Sequence, residues 1–389
     1  MSMRTFPIGG IHPHDNKEWS KDKAIEVLEL PDEAKLPMVQ HIGAPATPIV
    51  QKGDKVLTGQ IAGQSTGFVS ANIHSPISGT VVNVDMFPNG QGQRRMMVVI
   101  KREGDEWLET IDRTPDHKRE CTLEPKEIIA KIKDAGIVGL GGAQFPTHVK
   151  LTIPDGQKAE ILVVNGVECE PYLTSDYRTM LERAEMVLTG VEIVMRAIGV
   201  ERAVIGVENN KPDAIKHLRE VIARDGYKGI EVMPLKMRYP QGGEKQLIAA
   251  VTGREVPPPP ALPISVGAVV CNVSTCVAIY EAVQKNKPLI ERVVTVTGKH
   301  LNSTHNYLAR FGTPASRFFE LAGIPEGDVK LLNGGPMMGR AMVNIDSPVT
   351  KGCSGITVFD GEDVRRVPTS ECIKCAKCVE ACPMGLEPY

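Results

Sequence analysis

Cys372, Cys375, Cys378 and Cys382, the last followed by Pro383, stand at the spacing C-x2-C-x2-C-x3-C-P. Thiolates at that spacing suit a [4Fe–4S] cluster, whereas structural zinc sites pair cysteines or histidines at other intervals. A second candidate lies upstream, in Gly136-Ile137-Val138-Gly139-Leu140-Gly141-Gly142-Ala143-Gln144-Phe145-Pro146-Thr147-His148-Val149-Lys150, with four glycines in its first seven residues. Glycine has no Cβ and tolerates positive φ, so Gly139, Gly141 and Gly142 let bare N–H groups approach a phosphate or a flavin, with Lys150 supplying a cation. A plain tight turn explains the same glycines. Clusters of amides and carboxylates follow at Asn165, Glu168 and Glu170, at Gly242-Gly243-Glu244, and at Asn272 with Thr275.

The elements around these residues constrain what they can be. Residues 124–135 read as an amphipathic helix with Pro125 in its first turn and Gly136 just past its end. A Rossmann fingerprint needs a strand before its glycine loop, so the Gly-rich stretch is not one. Strands are expected at Ile161–Asn165, 203–208, 230–235 and 267–272. Helices are expected near Thr179–Ile198, after Asn210 and Pro212, and after 272 with Ser274 or Thr275 as cap. This alternation argues for a parallel α/β sheet. The tetraproline 257–260 makes a stiff crossover.

Before this region, from about Pro37 to Arg102, short Gly-punctuated strands suggest a small barrel or sandwich. The phrases Val50-Gln51-Lys52-Gly53-Asp54-Lys55-Val56 and Ser75-Pro76-Ile77-Ser78-Gly79-Thr80-Val81 resemble biotinyl/lipoyl-type barrel-sandwich domains. No lysine sits just before Ser75, where a carrier hairpin would present it, so a swinging-arm role is not expected. The opening Gly9-Gly10-Ile11-His12-Pro13-His14 should lie over the surface. From Arg292, short strands around a helix at 314–322 describe an α+β unit resembling a β-grasp domain, with a structural turn at Gly334-Gly335-Pro336-Met337-Met338-Gly339.

At 389 residues and 42% hydrophobic content the chain can bury several cores, dividing into roughly two to four domains. A net charge of −2 with scattered cations offers no footprint for nucleic acid or anionic membrane. No run approaches the ~18 apolar residues of a membrane span, and no signal-peptide core opens the chain. Nine cysteines, four in one run and five dispersed, do not form a secreted disulfide scaffold; a reducing compartment is expected.

An iron–sulfur centre moves electrons singly, while a flavin in a Gly-rich site takes two as hydride and releases them one at a time. The combination suggests a flavin dehydrogenase. Residues 139–147 with Lys150, then Asn165-Gly166-Val167-Glu168-Cys169-Glu170-Pro171, Gly242-Gly243-Glu244, and Asn272 with Thr275 resemble the NADH- and FMN-binding subunit of respiratory complex I. The early Gly-Gly-Ile-His-Pro, the barrel-sandwich, the β-grasp region and the ferredoxin-type cysteine run narrow the resemblance, over nearly the whole chain, to the RnfC family of ferredoxin:NAD+ oxidoreductase subunits.

The resemblance implies a multidomain α/β protein. Residues 1–123 would form an N-terminal extension and barrel-sandwich, 124–290 a parallel α/β domain for FMN and NADH, 291–366 a β-grasp (SLBB-like) domain, and 367–389 a truncated ferredoxin-type segment. By matched motif, Gly139, Gly141, Gly142 and Lys150 would hold the FMN phosphate side, and Asn165 and Glu168 would lie along the flavin. Phe145, Glu170, Gly242 and Glu244 would meet the dinucleotide, while Asn272 and Thr275 would close the pocket. Glu170 and Glu244 read equally as solvated loop charges.

Val167 stands where complex I has an aspartate, and Gly243 replaces the first acid of its Gly-Glu-Glu, which implies weaker flavin affinity or altered nucleotide geometry. No general base is required. The implied setting is the cytoplasmic face of a membrane, peripheral, with integral-membrane and iron–sulfur partner subunits, ferredoxin indirectly, and no nucleic acid. Two [4Fe–4S] clusters are implied for the full-length family. Here the cysteine run occurs once, so Cys372, Cys375 and Cys378 lack the fourth thiolate of a second run while Cys382 serves the other cluster. Residues beyond about Thr369 are therefore expected to be poorly ordered or cluster-free. The cobalamin reductases of similar layout, or a relay subunit with an empty glycine loop, remain alternatives.

Overall fold

Short strands between residues 33 and 102 build two small sheets. In the computed structural model, which describes residues 3–389, one sheet runs in the order Glu33–Pro37, Arg94–Arg102, Gly79–Pro88, Lys55–Val56 and the other Thr47–Pro48, Ile61–Gln64, Ile73–His74. Every neighbouring pair is antiparallel. Ala34 and Leu36, two apart on one strand, and Val98 and Ile100 on its partner point inward and are fully buried, as strand alternation requires. His74, at the place where a carrier hairpin would present its lysine, is buried.

Parts of the first 123 residues also pair outside these two sheets. Ile25–Val27 pairs in parallel with His305–Arg310, and Ile11 bridges to Tyr239 in the central domain. No periodicity marks a three-residue strand, so pairing partners alone define it.

The central domain alternates as the sequence suggests. Helix α1 (Pro125–Asp134) starts with a capping box between Glu124 and Glu127 and ends before Gly136, whose φ is +65°. There follow β1 (Ile161–Asn165), α2 (Ser175–Glu182), α3 (Ala184–Ile198), β2 (Ala203–Glu208), α4 (Pro212–Asp225), β3 (Ile230–Leu235), α5 (Glu244–Thr252), β4 (Ala268–Asn272) and α6 (Val273–Lys285). The helix expected near Thr179–Ile198 is two helices, broken at Arg183, whose φ and ψ of −131° and 30° leave the helical region. The cap of α6 is Asn272, not Ser274 or Thr275: its side chain accepts from the N–H groups of both.

The four strands are parallel in the order β3-β2-β1-β4. Alternate residues of β1 face opposite layers: Leu162 and Val164 join the large core, whereas Ile161 and Val163 pack in a second cluster with Leu247, Ile248 and Val251 of α5. Covering both faces is what lets such strands be continuously apolar.

The third unit is a six-stranded mixed sheet, ordered Ile25–Val27, His305–Arg310, Glu291–Thr297, Gly355–Asp360, Val329–Asn333, Arg340–Ala341, with a helix at Ala315–Ala322. One apolar cluster runs through all three units. At their junction Lys351, fully buried, donates from Nζ to the carbonyls of Asn72 and Gly136, both at 2.7 Å. Burial pulls its pKa down to about 7.

Candidate functional site

In the order β3-β2-β1-β4 the chain leaves β1 on one side and returns to β4 on the other. The crevice at the carboxyl ends of such a strand pair is where open α/β sheets take ligands. Asn165 ends β1, Asn272 ends β4, and the two are register partners.

Asn272 is fixed at both ends of its amide. Its Oδ1 accepts from Ser274 N at 2.9 Å and Thr275 N at 3.2 Å, and its Nδ2 donates to Asp176 Oδ2 at 2.6 Å. Asp176 also accepts from Ser274 Oγ at 2.5 Å. Across the crevice Asn165 Nδ2 donates to Gly242 O at 2.9 Å, and its Oδ1 accepts from Val167 N at 3.1 Å.

The Gly-rich loop lies over this crevice. Gly139 N donates to Phe145 O at 2.9 Å, closing the loop, and Leu140 N donates to Thr275 Oγ1 at 2.9 Å. Arg292, buried in the third unit, supports it by donating to Leu140 O at 3.0 Å. A Cβ on Gly141 would stand 2.7 Å from Asn272 Nδ2, so only glycine permits that approach, while one on Gly142 would meet open space. Among the described residues no hydrogen bond is donated by the N–H of Gly141, Gly142 or Ala143, and all three are exposed. Unpaired, exposed N–H groups beside a lysine fit a phosphate.

Lys150 Nζ pairs with Glu244 Oε1 at 2.8 Å, both side chains about a third or more exposed. Glu244 opens α5, N-capped by Gly243. The structure thus gathers Gly139, Gly141, Gly142, Lys150, Asn165, Gly242, Glu244, Asn272 and Thr275. Phe145 joins through its backbone carbonyl.

The carboxylates of Glu168 and Glu170 are both taken up by backbone N–H groups. Glu168, in the left-handed region at φ 48°, accepts from Asp176 N at 2.7 Å and Tyr177 N at 3.2 Å at the start of α2. Burial pushes its pKa up to about 7, against the opposing pull of Lys17 at 3.8 Å. Glu170 accepts from the N–H groups of Met337 at 2.7 Å and Met338 at 3.2 Å. It therefore ties the central domain to the 334–339 turn rather than reaching into the crevice.

Sequence reasoning missed Asp176, Lys17 and Arg292. Asp176 had one available signal, an acid inside an otherwise buried helical turn (Ser175, Tyr177, Thr179, Met180).

The cysteine run is a different case. Cys372, Cys375 and Cys378 are exposed and Cys382 half-buried, with the third cysteine inside helix α7 (Lys377–Ala381) and the fourth just past its end. The segment expected to be poorly ordered thus has a helix in its middle. Four thiols match cluster chemistry, yet among the described residues no three His, Cys, Asp or Glu side chains converge as a metal site. The other thiol considered, Cys353, is buried in the third unit with its pKa pushed up to about 11 by burial.

A family model described as the RnfC barrel sandwich hybrid domain matches residues 5–105, and one described as the Nuo51 FMN-binding domain matches 132–281. The chain is 46% identical over 382 residues to the C subunit of the proton-translocating ferredoxin:NAD(+) oxidoreductase complex of Clostridium ljungdahlii, covering 98% of this chain and 82% of that one. It is 45% identical over 384 residues to the Na(+)-translocating counterpart of Acetobacterium woodii, covering 98% and 85%. Among solved structures, an NAD+-reducing [NiFe]-hydrogenase in the H2-reduced state shares the fold over 61% of this chain and 47% of that one, with a TM-score of 0.54 at 23% identity. The chain belongs to the RnfC family, the C subunits of ion-translocating ferredoxin:NAD(+) oxidoreductase complexes.

Proposed function

We infer that this protein is the NADH- and FMN-binding subunit of an ion-translocating ferredoxin:NAD+ oxidoreductase complex. The observation that carries this reading is the convergence of Asn165, Asn272, Thr275 and the glycine loop on the switch point of β1 and β4, within the stretch matched by an FMN-binding domain. FMN, when bound, supplies the exchange between two-electron hydride chemistry and single-electron transfer.

The chain's own residues bind and orient. The free N–H groups of Gly141, Gly142 and Ala143 would hold the phosphate together with Lys150. An exposed ion pair such as Lys150–Glu244 contributes only about 0–1 kcal/mol, so Lys150 can turn to a phosphate at little cost. Asn165 and Asn272 offer fixed amides at the crevice floor, and Thr275 pins the loop above it. Glu244 stands where a nucleotide's 2′-phosphate would be repelled, and no arginine lies in the loop or in the Gly242-Gly243-Glu244 turn to receive one. With Glu170 engaged by Met337 and Met338, discrimination against NADPH rests on Glu244.

The six-stranded unit is read as β-grasp-like and the cysteine run as ferredoxin-type. Among the described residues no helix is long and apolar enough to cross a membrane. By family membership the subunit would sit peripherally at the cytoplasmic face, against integral-membrane and iron–sulfur subunits.

Titrating the purified chain with FMN and following its reduction by NADH and NADPH tests the reading. FMN should bind, and NADH should reduce it with the higher kcat/KM. Failure to bind FMN sinks the flavin assignment; equal kcat/KM for the two nucleotides sinks the role given to Glu244.

A further inference from the structure

The opening segment has a use that neither the pocket nor the barrel-sandwich requires. Residues 6–17 run as a strap along the central domain. Ile11 and Tyr239 exchange backbone hydrogen bonds at 2.8 Å, Arg238 donates to Phe6 O at 2.9 Å, and Tyr172 N donates to Asp15 O at 2.7 Å. Lys17 anchors the far end on the carbonyls of Glu170 and Leu173.

The strap's other side holds the cysteine segment. Gly10 N donates to Ala381 O at 2.7 Å. A Cβ on Gly9 would lie 2.7 Å from the backbone of Cys382 and Pro383, and Gly9 sits at φ +68°. Gln246 of α5, two residues beyond Glu244, donates to Met384 Sδ at 3.3 Å. The segment is thus clasped between the strap and the first turn of the helix that carries Glu244.

We propose that the Gly9-Gly10 turn is the seat of the cysteine segment, a docking element within the chain that holds Cys382 beside the start of α5 and so beside the candidate flavin site. The consequence for electron transfer rests on the flavin reading above; the docking itself does not. Glycine is required at both positions because the tail's backbone passes against Gly9, while Arg238 and the Phe6 ring fill the space on which a Gly10 side chain would intrude.

Hydrogen–deuterium exchange on the full chain tests the docking. In the wild type, amides over residues 381–385 should exchange at least about tenfold more slowly than an unstructured chain. Gly9→Ala should remove that protection, while peptides from β1, β4 and α6 keep their rates. Gly156→Ala, at φ +78° with open space around its Cβ, carries the same backbone strain away from the tail and should leave residues 381–385 unchanged. Unprotected exchange over 381–385 in the wild type overturns the proposal, as does a Gly9→Ala variant with wild-type rates or a Gly156→Ala variant that loosens the tail equally. Should Gly9→Ala not fold, the wild-type rates decide alone. FMN titration of the same wild-type sample reads the flavin assignment independently, so the two can fail separately.

Discussion

The crevice at β1 and β4 and the cysteine run are opposite ways of building a site. The crevice draws on residues more than a hundred positions apart, and a parallel sheet brings Asn165 and Asn272 into register before any loop is added. Both amides there have partners that fix them, down to Asp176 holding the Asn272 side chain. The run has its four cysteines within eleven residues, yet three stay exposed and none converge among the described residues. Short sequence spacing defines which atoms can ligate; only tertiary packing preorganises them.

If the crevice is the rigid partner in this contrast, its stability should respond to the charge buried beside it. Glu168 has a folded pKa near 7 against an ordinary 4.5, so the folded state holds a proton that the unfolded state gives up in between. The stability this contributes is full below about pH 4.5 and is lost as pH rises to about 7, a change on the order of 3 kcal/mol. Glu168→Gln should flatten that part of the stability profile, measured by urea unfolding at pH 4.5, 6 and 7.5. A variant whose slope equals the wild type's would remove Glu168 from the account.

Gly141→Val should lower FMN affinity by about ten- to a hundredfold, since forcing branched carbons against Asn272 costs roughly 1–3 kcal/mol. Fluorescence titration, with circular dichroism to confirm folding, measures it; wild-type affinity would detach the loop from the ligand. Asp176→Ala should cost about 1–3 kcal/mol by leaving Asn272 Nδ2 and Ser274 Oγ without their shared acceptor. Asp176→Asn, which keeps one acceptor, should recover part of the loss in thermal unfolding. At the small end, Cys372→Ser, Cys375→Ser and Cys378→Ser should each change stability by less than about 0.5 kcal/mol and leave FMN affinity unaltered. A marked loss of stability from any of the three would mean that the exposed run is assembled after all.

The α/β alternation was legible because helix and strand periods differ and its turns carry Gly, Pro and Asn. What escaped reading depends on distance in space. Asn272, Ser274 and Thr275 are all good caps, and only the end of the β4 pairing selects Asn272. The helix break at Arg183 has no proline or glycine to announce it. Glu170 could not be separated from a ligand-binding acid without seeing the 334–339 turn arrive against it. The glycine loop was legible as a place of close approach; that Gly141 presses on Asn272 was not, because those residues meet only when the sheet forms.

The pairing of Ile25–Val27 with His305–Arg310 also sets an order of events on the ribosome. With Ile25 opposite Asn306, the early strand leaves the exit tunnel well before its neighbour has been made. At roughly 5–20 residues per second the interval is on the order of tens of seconds, long enough for the barrel-sandwich to fold in the meantime. During that time three residues of bare backbone wait for a partner, and their shortness limits what else could pair with them. The sheet's outer margin is closed by an early part of the nascent chain, so the third unit reaches its final form only when segments made far apart in time have found each other.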